Sequence, residues 1–235
     1  MFGVKLYSMG SYIMSEKTEK NNKNYALRDA AFYNKWRRIF LFLVTHVFYM
    51  IRFKLVYRLE VHGKENIPKD NNFLIAPNHL STLDPPLMCA VMDRGVACMA
   101  KIELFKNPFL RWWLDWLGAF AVDREKVSVS TLKTVKASKN TEWVLGMFPQ
   151  GTRQLDGEIK NITKGFANIA KINKCGILPM GITGTEVARR IPFSGKIIVN
   201  IGEVIPYSDN IDEMIEKWGK SIEELTGFKY IPNEQ

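Results

Sequence analysis

From residue 73 onward, short apolar runs alternate with stretches of helical periodicity, and this alternation constrains the fold most strongly. The apolar runs predict strands at residues 73–76, 96–99, 119–122, 144–148, 177–182 and 197–201. The stretches between and after them predict helices at residues 86–92, 108–117, 129–138, 164–172 and 209–225, the last capped by Asp209. Strands that alternate with helices form βαβ units. The sequence therefore predicts an α/β fold with a largely parallel sheet flanked by helices.

The chain divides into three segments by composition. Residues 1–26 are polar and rich in Lys and Asn from Ser15 onward, which predicts a mobile leader. Residues 27–58 form a basic, apolar helical segment, and residues 59–235 form the main domain. Within these segments, residues 55–62 alternate enough to predict a strand, followed by a turn at residues 63–68.

Positive charge is concentrated in the N-terminal part of the chain. The formal net charge is +9, and residues 1–60 hold eleven Lys and Arg against four Asp and Glu. Several of these cations flank the uncharged residues 39–51, a run of 13 residues, whereas about 20 apolar residues are needed to cross a bilayer. We therefore expect an N-terminal helix that lies in the interface of an anionic membrane. A core helix docked on the domain is the alternative.

The composition argues against several classes of protein. Hydrophobic residues make up 46% of the chain, enough for a substantial core. The Lys and Arg residues form no long stripe and no nucleic-acid module is recognisable, so we expect no nucleic-acid partner. The three widely spaced cysteines indicate reduced thiols in a cytosolic compartment. The sequence contains no Cys-x-x-Cys pair and no His cluster, so we expect no metal site. The signatures G-x-S-x-G, G-x-x-x-x-G-K-[ST], G-x-G-x-x-G and H-E-x-x-H are also absent from the sequence.

Two short motifs carry the chemistry. His79 follows the predicted strand 73–76, and Asp84 comes five residues later at a predicted helix start. In α/β folds this junction between strand and helix is where ligands bind. The second motif, residues 148–153, places Gly151 in a turn that ends in Arg153. Together the motifs indicate a base beside an anion site, without an obvious nucleophile.

The order of the motifs resembles that of the glycerolipid acyltransferase family. The matching patterns are N-H-x-S-x-x-D at residues 78–84, G-x-x-x-x-D-R at 118–124, F-P-(E/Q)-G-T-R at 148–153, and a Pro-containing strand at 178–181. The resemblance runs from about residue 35 to residue 205. It is more specific than any single motif, because four motifs occur in the right order.

The resemblance implies transfer of a fatty acyl chain from a thioester to the free hydroxyl of a lysophospholipid, without a covalent acyl-enzyme. His79 would take the hydroxyl proton, while Asp84 would orient the imidazole and stabilise its charged form. The alternative for His79 is a packed core histidine, and Asp84 would also suit a helix cap.

The resemblance also implies a binding site for the phosphate of the acceptor. The expected contacts come from Arg124, Gly151, Thr152 and Arg153, with Lys101 as a further cation; guanidinium groups bind phosphate oxygens bidentately. The residues expected to shape the loops are Asn78, Ser81, Gln150 and Pro179. Gln150 departs from the family, which more often has Glu at this position; the amide keeps the hydrogen-bonding reach of Glu and lacks its negative charge.

The acceptor expected first is 1-acylglycerol-3-phosphate, with glycerol-3-phosphate or another lyso-lipid as rivals. The donor is expected to be acyl-CoA or acyl carrier protein, with no cofactor, and the enzyme is expected on the cytoplasmic face of the cell membrane. Two other classes stay open. A thioesterase or lipase would use water in place of the acceptor, and a lipid-binding protein would bind without turnover.

Overall fold

The computed structural model describes residues 25–122, 129–188, 193 and 195–233. Within these ranges, strands alternate with helices, and the strands form a seven-stranded sheet and a two-stranded sheet. The strands are β1 Glu60–His62, β2 Phe73–Pro77, β3 Gly95–Lys101, β4 Phe120–Val122, β5 Trp143–Gly146, β6 Glu158–Ile159, β7 Gly176–Thr183, β8 Ile198–Ile201 and β9 Lys229–Tyr230. The prediction of an α/β fold with a largely parallel sheet is confirmed.

The large sheet has the order β1-β8-β7-β2-β5-β3-β4. All neighbours run parallel except β7 and β8. At the centre, Leu74 of β2 pairs with Leu145 of β5 and with Ile177 of β7. Because β7, β2, β5, β3 and β4 are parallel, their carboxyl ends lie along one edge of the sheet, here called the carboxyl edge.

Helices cover both faces of the large sheet. They are α1 Lys35–Tyr57, α2 Asp84–Met92, α3 Pro108–Trp116, α4 Val129–Lys139, α5 Gly165–Asn173, α6 Thr185–Ala188 and α7 Ile211–Thr226. The chain moves from β2 towards β4 and then returns through β5 and β7. Since parallel crossovers are right-handed, this reversal places α2 on one face and the row α4, α5 and α7 on the other.

Helix α1 is long and lies against the domain on one side. It contains a π-helical stretch at Leu43–Met50 between two α-helical parts, and Asn34 caps its start. By length and composition it is able to cross a membrane, so the shortness of the uncharged run does not exclude a spanning helix. Its packing is more informative, because Phe53 and Tyr57 are fully buried in the core of the domain. At the π stretch, His46 Nε2 lies 2.6 Å from Asp93 Oδ1, just after α2.

Three local predictions were wrong. Residues 55–57 belong to α1, which ends where Arg58 takes a left-handed conformation (φ 46°), so the strand starts only at Glu60. Strand β5 ends at Gly146 rather than residue 148. Helix α7 is capped by Asn210, whose side chain accepts from the Glu213 amide, and Asp209 accepts instead from the Tyr207 hydroxyl. Of the expected leader at residues 1–26, residues 1–24 lie outside the part of the chain that the structure describes.

Trp218 of α7 anchors the strand that leads into the His79 motif. Its indole is fully buried, packs against Phe166 of α5, and donates from Nε1 to the Ala76 carbonyl of β2 at 2.8 Å. The indole N–H provides a hydrogen-bond donor for this carbonyl of the central strand. Without it, α7 would cover the carbonyl with apolar atoms alone.

We expect Trp218→Phe to lower the free energy of unfolding by about 2–4 kcal/mol, because it creates a void and leaves a buried carbonyl without this donor. Urea denaturation measures the change. The matched control is Trp36→Phe, at a side chain that is 65% exposed, where we expect almost no change. Equal effects at the two positions would contradict the assignment.

Candidate active site

The segments that follow three neighbouring strands bring side chains together at one point of the carboxyl edge. Central β2 leads into His79, β5 on one side leads into Phe148 and Gln150, and β7 on the other side leads into Thr185. These residues lie far apart in the sequence and meet only because β5, β2 and β7 are adjacent and parallel. This edge is where α/β proteins bind their ligands.

His79 and Asp84 form a hydrogen-bonded pair at this point. The imidazole Nδ1 lies 2.8 Å from Asp84 Oδ2, and Asp84 is completely buried, while the His79 side chain is 13% exposed. An ionised carboxylate only accepts hydrogen bonds, so Nδ1 carries the proton in this pair. The lone pair of the neutral ring is then on Nε2, the nitrogen that is available to accept a proton.

The Asp84 carboxylate has donors on both oxygens. Besides His79, Oδ2 accepts from the amides of Leu80 and Ser81, each at 2.7 Å, and Oδ1 accepts from the Thr185 hydroxyl at 2.6 Å. Asp84 is the first residue of α2, and its carboxylate bonds the turn before the helix rather than the amides of the helix itself. The cap considered for Asp84 is therefore not its role here, since its bonds hold the loop that carries His79.

His79 is also held through its backbone and its ring face. Its amide donates to Gln150 Oε1 at 3.0 Å, and its carbonyl accepts from the Gln154 amide at 2.8 Å. The ring packs against Phe148, with the centroids 4.3 Å apart. The loop after β5 therefore contacts His79 at three points and limits the orientations that the imidazole can take.

Three of the residues expected to shape the loops lie in β7 or in the loop after β2. Asn78 is fully buried and acts as an extra rung of the sheet, donating to the Ile182 carbonyl at 2.9 Å and accepting from its amide at 2.7 Å. Ser81 Oγ accepts from the Leu83 amide at 3.3 Å. Pro179 lies inside β7 opposite Ala76 of β2.

The phosphate-binding candidates are distributed along the carboxyl edge and its loops. Lys101 ends β3 and is half exposed, with Glu103 3.5 Å away, and Arg153 is exposed in the loop after β5. Gly151 takes a left-handed conformation (φ 66°), which favours glycine. However, the amides of Gly151 and Thr152 donate to carbonyls within their own turn, so in this conformation they are not free donors. Arg124 lies outside the described residues.

Cys89 and Cys175 do not supply a thiolate nucleophile. The hydrogen bond with Cys98, followed by burial, raises the pKa of Cys89 well above its usual value. Burial raises the pKa of Cys175 to about 11. Thiols with such pKa values stay protonated at neutral pH and react poorly.

Sequence reasoning missed Thr185. It lies 101 residues from Asp84, outside every motif, and the only signal for it was its place just after a buried strand that pairs with β2. Gln150 was placed among the loop-shaping residues, and the structure adds that it accepts directly from the backbone of His79.

The fold and the site define a class: an α/β enzyme whose histidine is held by a buried carboxylate at the carboxyl edge of a parallel sheet. The acyltransferase family model matches residues 58–183, more than half of the chain. This chain belongs to the acyltransferase family.

Relatives and a solved structure agree with this assignment. The chain is 32% identical to the 1-acyl-sn-glycerol-3-phosphate acyltransferase of Bacillus subtilis (strain 168), over 71% of this chain and 87% of the relative. It is 30% identical to the enzyme of the same name from Streptococcus pneumoniae, over 80% and 68%. The crystal structure of PlsC, the 1-acyl-sn-glycerophosphate acyltransferase of Thermotoga maritima, matches with a TM-score of 0.59 and 26% identity over 79% of this chain and 78% of that one.

Thr185 can be tested as a residue that positions Asp84. We expect Thr185→Val to lower kcat roughly tenfold, equivalent to about 1.4 kcal/mol on the barrier, because one oxygen of the buried carboxylate loses its donor. The Michaelis constants for donor and acceptor should change little. Thr185→Ser keeps the hydroxyl and should restore kcat, so a Ser variant as slow as the Val variant would contradict the role.

Gln150 can be tested with a pair of substitutions of similar size. Gln150→Glu keeps an oxygen that accepts from the His79 amide, so we expect it to retain kcat, whereas Gln150→Leu removes the acceptor and should lower kcat. Steady-state kinetics of both variants measure the difference. A near-total loss of kcat in Gln150→Glu would contradict a role that consists mainly of holding the loop.

Proposed function

We propose that this acyltransferase moves a fatty acyl group from acyl-CoA or acyl carrier protein to the free hydroxyl of 1-acylglycerol-3-phosphate. The product would be phosphatidic acid, an intermediate of phospholipid synthesis. The names of the relatives from B. subtilis and S. pneumoniae support this acceptor. Both donors are anionic, and the basic net charge of the chain suits either of them.

The observation that carries the proposal is the pairing of His79 with a fully buried, fully bonded Asp84. The pair orients the imidazole so that Nε2 is free to act as a base. The four donors also hold the Asp84 carboxylate in place, where it can stabilise the imidazolium that forms after proton transfer. The aliphatic hydroxyl of a lysophospholipid is a poor nucleophile that needs such a base.

The reaction proceeds by direct attack on the thioester. His79 Nε2 removes the hydroxyl proton as the acceptor oxygen bonds to the thioester carbonyl carbon, and the carbonyl becomes a tetrahedral oxyanion. The oxyanion then collapses, the carbon–sulfur bond breaks, and the leaving thiolate takes the proton from the imidazolium. The products are an ester and a free thiol, and the enzyme returns to its starting state without an acyl-enzyme.

The phosphate of the acceptor would bind to cations of the carboxyl edge. Arg153 and Lys101 are exposed at this edge, and Arg124 follows β4 in the sequence by two residues.

Helix α1 would hold the enzyme on the cytoplasmic face of the membrane. Leu41 and Val44 on one side are buried with Phe53, while Phe48 and Leu55 on the other side are more than 70% exposed. A helix with one side fixed to a water-soluble domain cannot be surrounded by lipid, so it would lie in the interface rather than cross the bilayer. Its basic flanks favour the anionic lipids of the cytoplasmic leaflet.

Lipid product analysis tests the proposal. Purified protein is given lysophosphatidate in detergent micelles with labelled acyl-CoA or acyl carrier protein, beside His79→Ala and Asp84→Asn. We expect labelled phosphatidic acid with the native chain, a loss of at least about 1,000-fold with His79→Ala, and a smaller loss with Asp84→Asn, whose amide still has room in the same pocket.

The alternatives give different products. Free labelled fatty acid in place of phosphatidic acid would identify a hydrolase. Acylation of glycerol-3-phosphate or of a lyso-lipid without a terminal phosphate, in preference to lysophosphatidate, would overturn the proposed acceptor while leaving the base intact. Unchanged turnover in His79→Ala would overturn the mechanism.

A further inference from the structure

Helix α3 presents large rings to solvent. Phe109 is 75% exposed, Trp112 50% and Trp116 36%, and none of the residues of this helix is buried. The spacing of three and four residues places the three rings on one side of the helix, here called the α3 aromatic face. Exposed rings grouped in this way are uncommon on a surface that meets only water, and they mark an interaction site.

The α3 aromatic face is attached to the N-terminal helix. The ring of Phe40 in α1 packs against Trp113 and Trp116, with centroids 5.5 and 5.4 Å apart. Arg37 donates to the Asp115 carbonyl at 3.0 Å, and Arg28 forms an ion pair with the Asp115 carboxylate at 2.5 Å. Helix α3 is therefore fixed to the first turns of α1, the helix proposed to lie in the membrane interface.

Lysines lie close in the sequence to the exposed rings of α3 and α1. Lys106 is exposed two residues before α3 begins, Lys101 is half exposed at the end of β3, and Lys35 lies over the ring of Trp36 at the start of α1. Rings that enter the boundary of a bilayer while neighbouring cations meet head groups are typical of interfacial membrane contacts. A second copy of the chain fits less well, because a symmetric contact would bring these lysines close to their own copies.

Helix α3 also begins close to the carboxyl edge of the sheet. Helix α3 and the short helix Ile102–Lys106 directly follow Lys101, the last residue of β3, at the same edge of the sheet as His79. A membrane contact here would keep the carboxyl edge close to the lipid that contains the acceptor.

We propose that the α3 aromatic face is a second membrane contact, which enters the interface of an anionic bilayer beside α1 and holds the carboxyl edge next to the lipid. This inference rests on the proposed function, because it extends the membrane contact proposed for α1. It assigns Phe109 and Trp112 to lipid binding and gives them no part in the reaction.

The test is sedimentation of the full chain with vesicles of phosphatidylglycerol and phosphatidylcholine. We expect Phe109→Ser and Trp112→Ser each to weaken partition roughly five- to tenfold, as removal of one ring from an interface should. Ile172→Ser is the matched control, an apolar side chain that is 59% exposed on α5, and it should bind like the native chain. Ring variants that bind as well as the control would overturn the proposal.

Activity separates this inference from the proposed function. In detergent micelles the ring variants should acylate lysophosphatidate at the native rate, whereas with the acceptor in vesicles their rate should fall with the binding. If no form of the chain transfers acyl groups, the proposed function fails, and the vesicle binding still decides the inference. Weaker partition together with dissociation of a dimer would identify the face as a self-association surface and overturn the lipid assignment.

A second measurement does not depend on the folding of a Ser variant. Brominated lipids quench tryptophans that enter a bilayer, so they should quench the native chain more than Trp112→Phe, which keeps an apolar ring at the same place. Greater fractional quenching in Trp112→Phe than in the native chain would place Trp112 outside the membrane and overturn the proposal.

Discussion

The buried carboxylate of Asp84 is the constraint on which the site depends. Taking an isolated carboxylate out of water costs many kcal/mol unless hydrogen bonds replace its hydration. Here two amides of the preceding turn, one imidazole and one hydroxyl do so, and the donors come from the loops after β2 and β7. The geometry of the His79–Asp84 pair therefore follows from the hydrogen bonds that a buried carboxylate requires, and His79 and Thr185 supply two of the four.

The parallel sheet makes this arrangement possible. Each parallel strand must be followed by a crossover, so its carboxyl end opens into a loop, and neighbouring strands place their loops side by side. Asn78 extends the pairing of β2 and β7 by one rung, which fixes the point at which the chain leaves the sheet and turns into His79. From the other side, Gln150 bonds the His79 backbone. The orientation of His79 thus depends on strand pairing as well as on the contacts of its imidazole.

The sequence predicted those parts of the molecule that depend on local pattern. Most strands and helices were placed within a few residues, since apolar runs and helical periodicity reflect burial directly. His79 and Asp84 are five residues apart and could be recognised together. Thr185 could not, because its partnership with Asp84 exists only once β7 pairs with β2 in one register. Residues 55–57 were misassigned because a short alternating run suits the end of an amphipathic helix as well as a strand.

The N-terminal helix shows why length alone does not decide how a helix meets a membrane. Counting uncharged residues gave 13, whereas the helix as folded runs from Lys35 to Tyr57 and is long enough to span a bilayer. Neither number bears on the buried side of the helix, where Phe53 and Tyr57 are packed into the domain. A spanning orientation would require these rings to leave the core and would detach His46 from Asp93. Packing against the domain therefore adds a free-energy cost to insertion that length and composition do not include, and this cost supports the interfacial orientation proposed for α1.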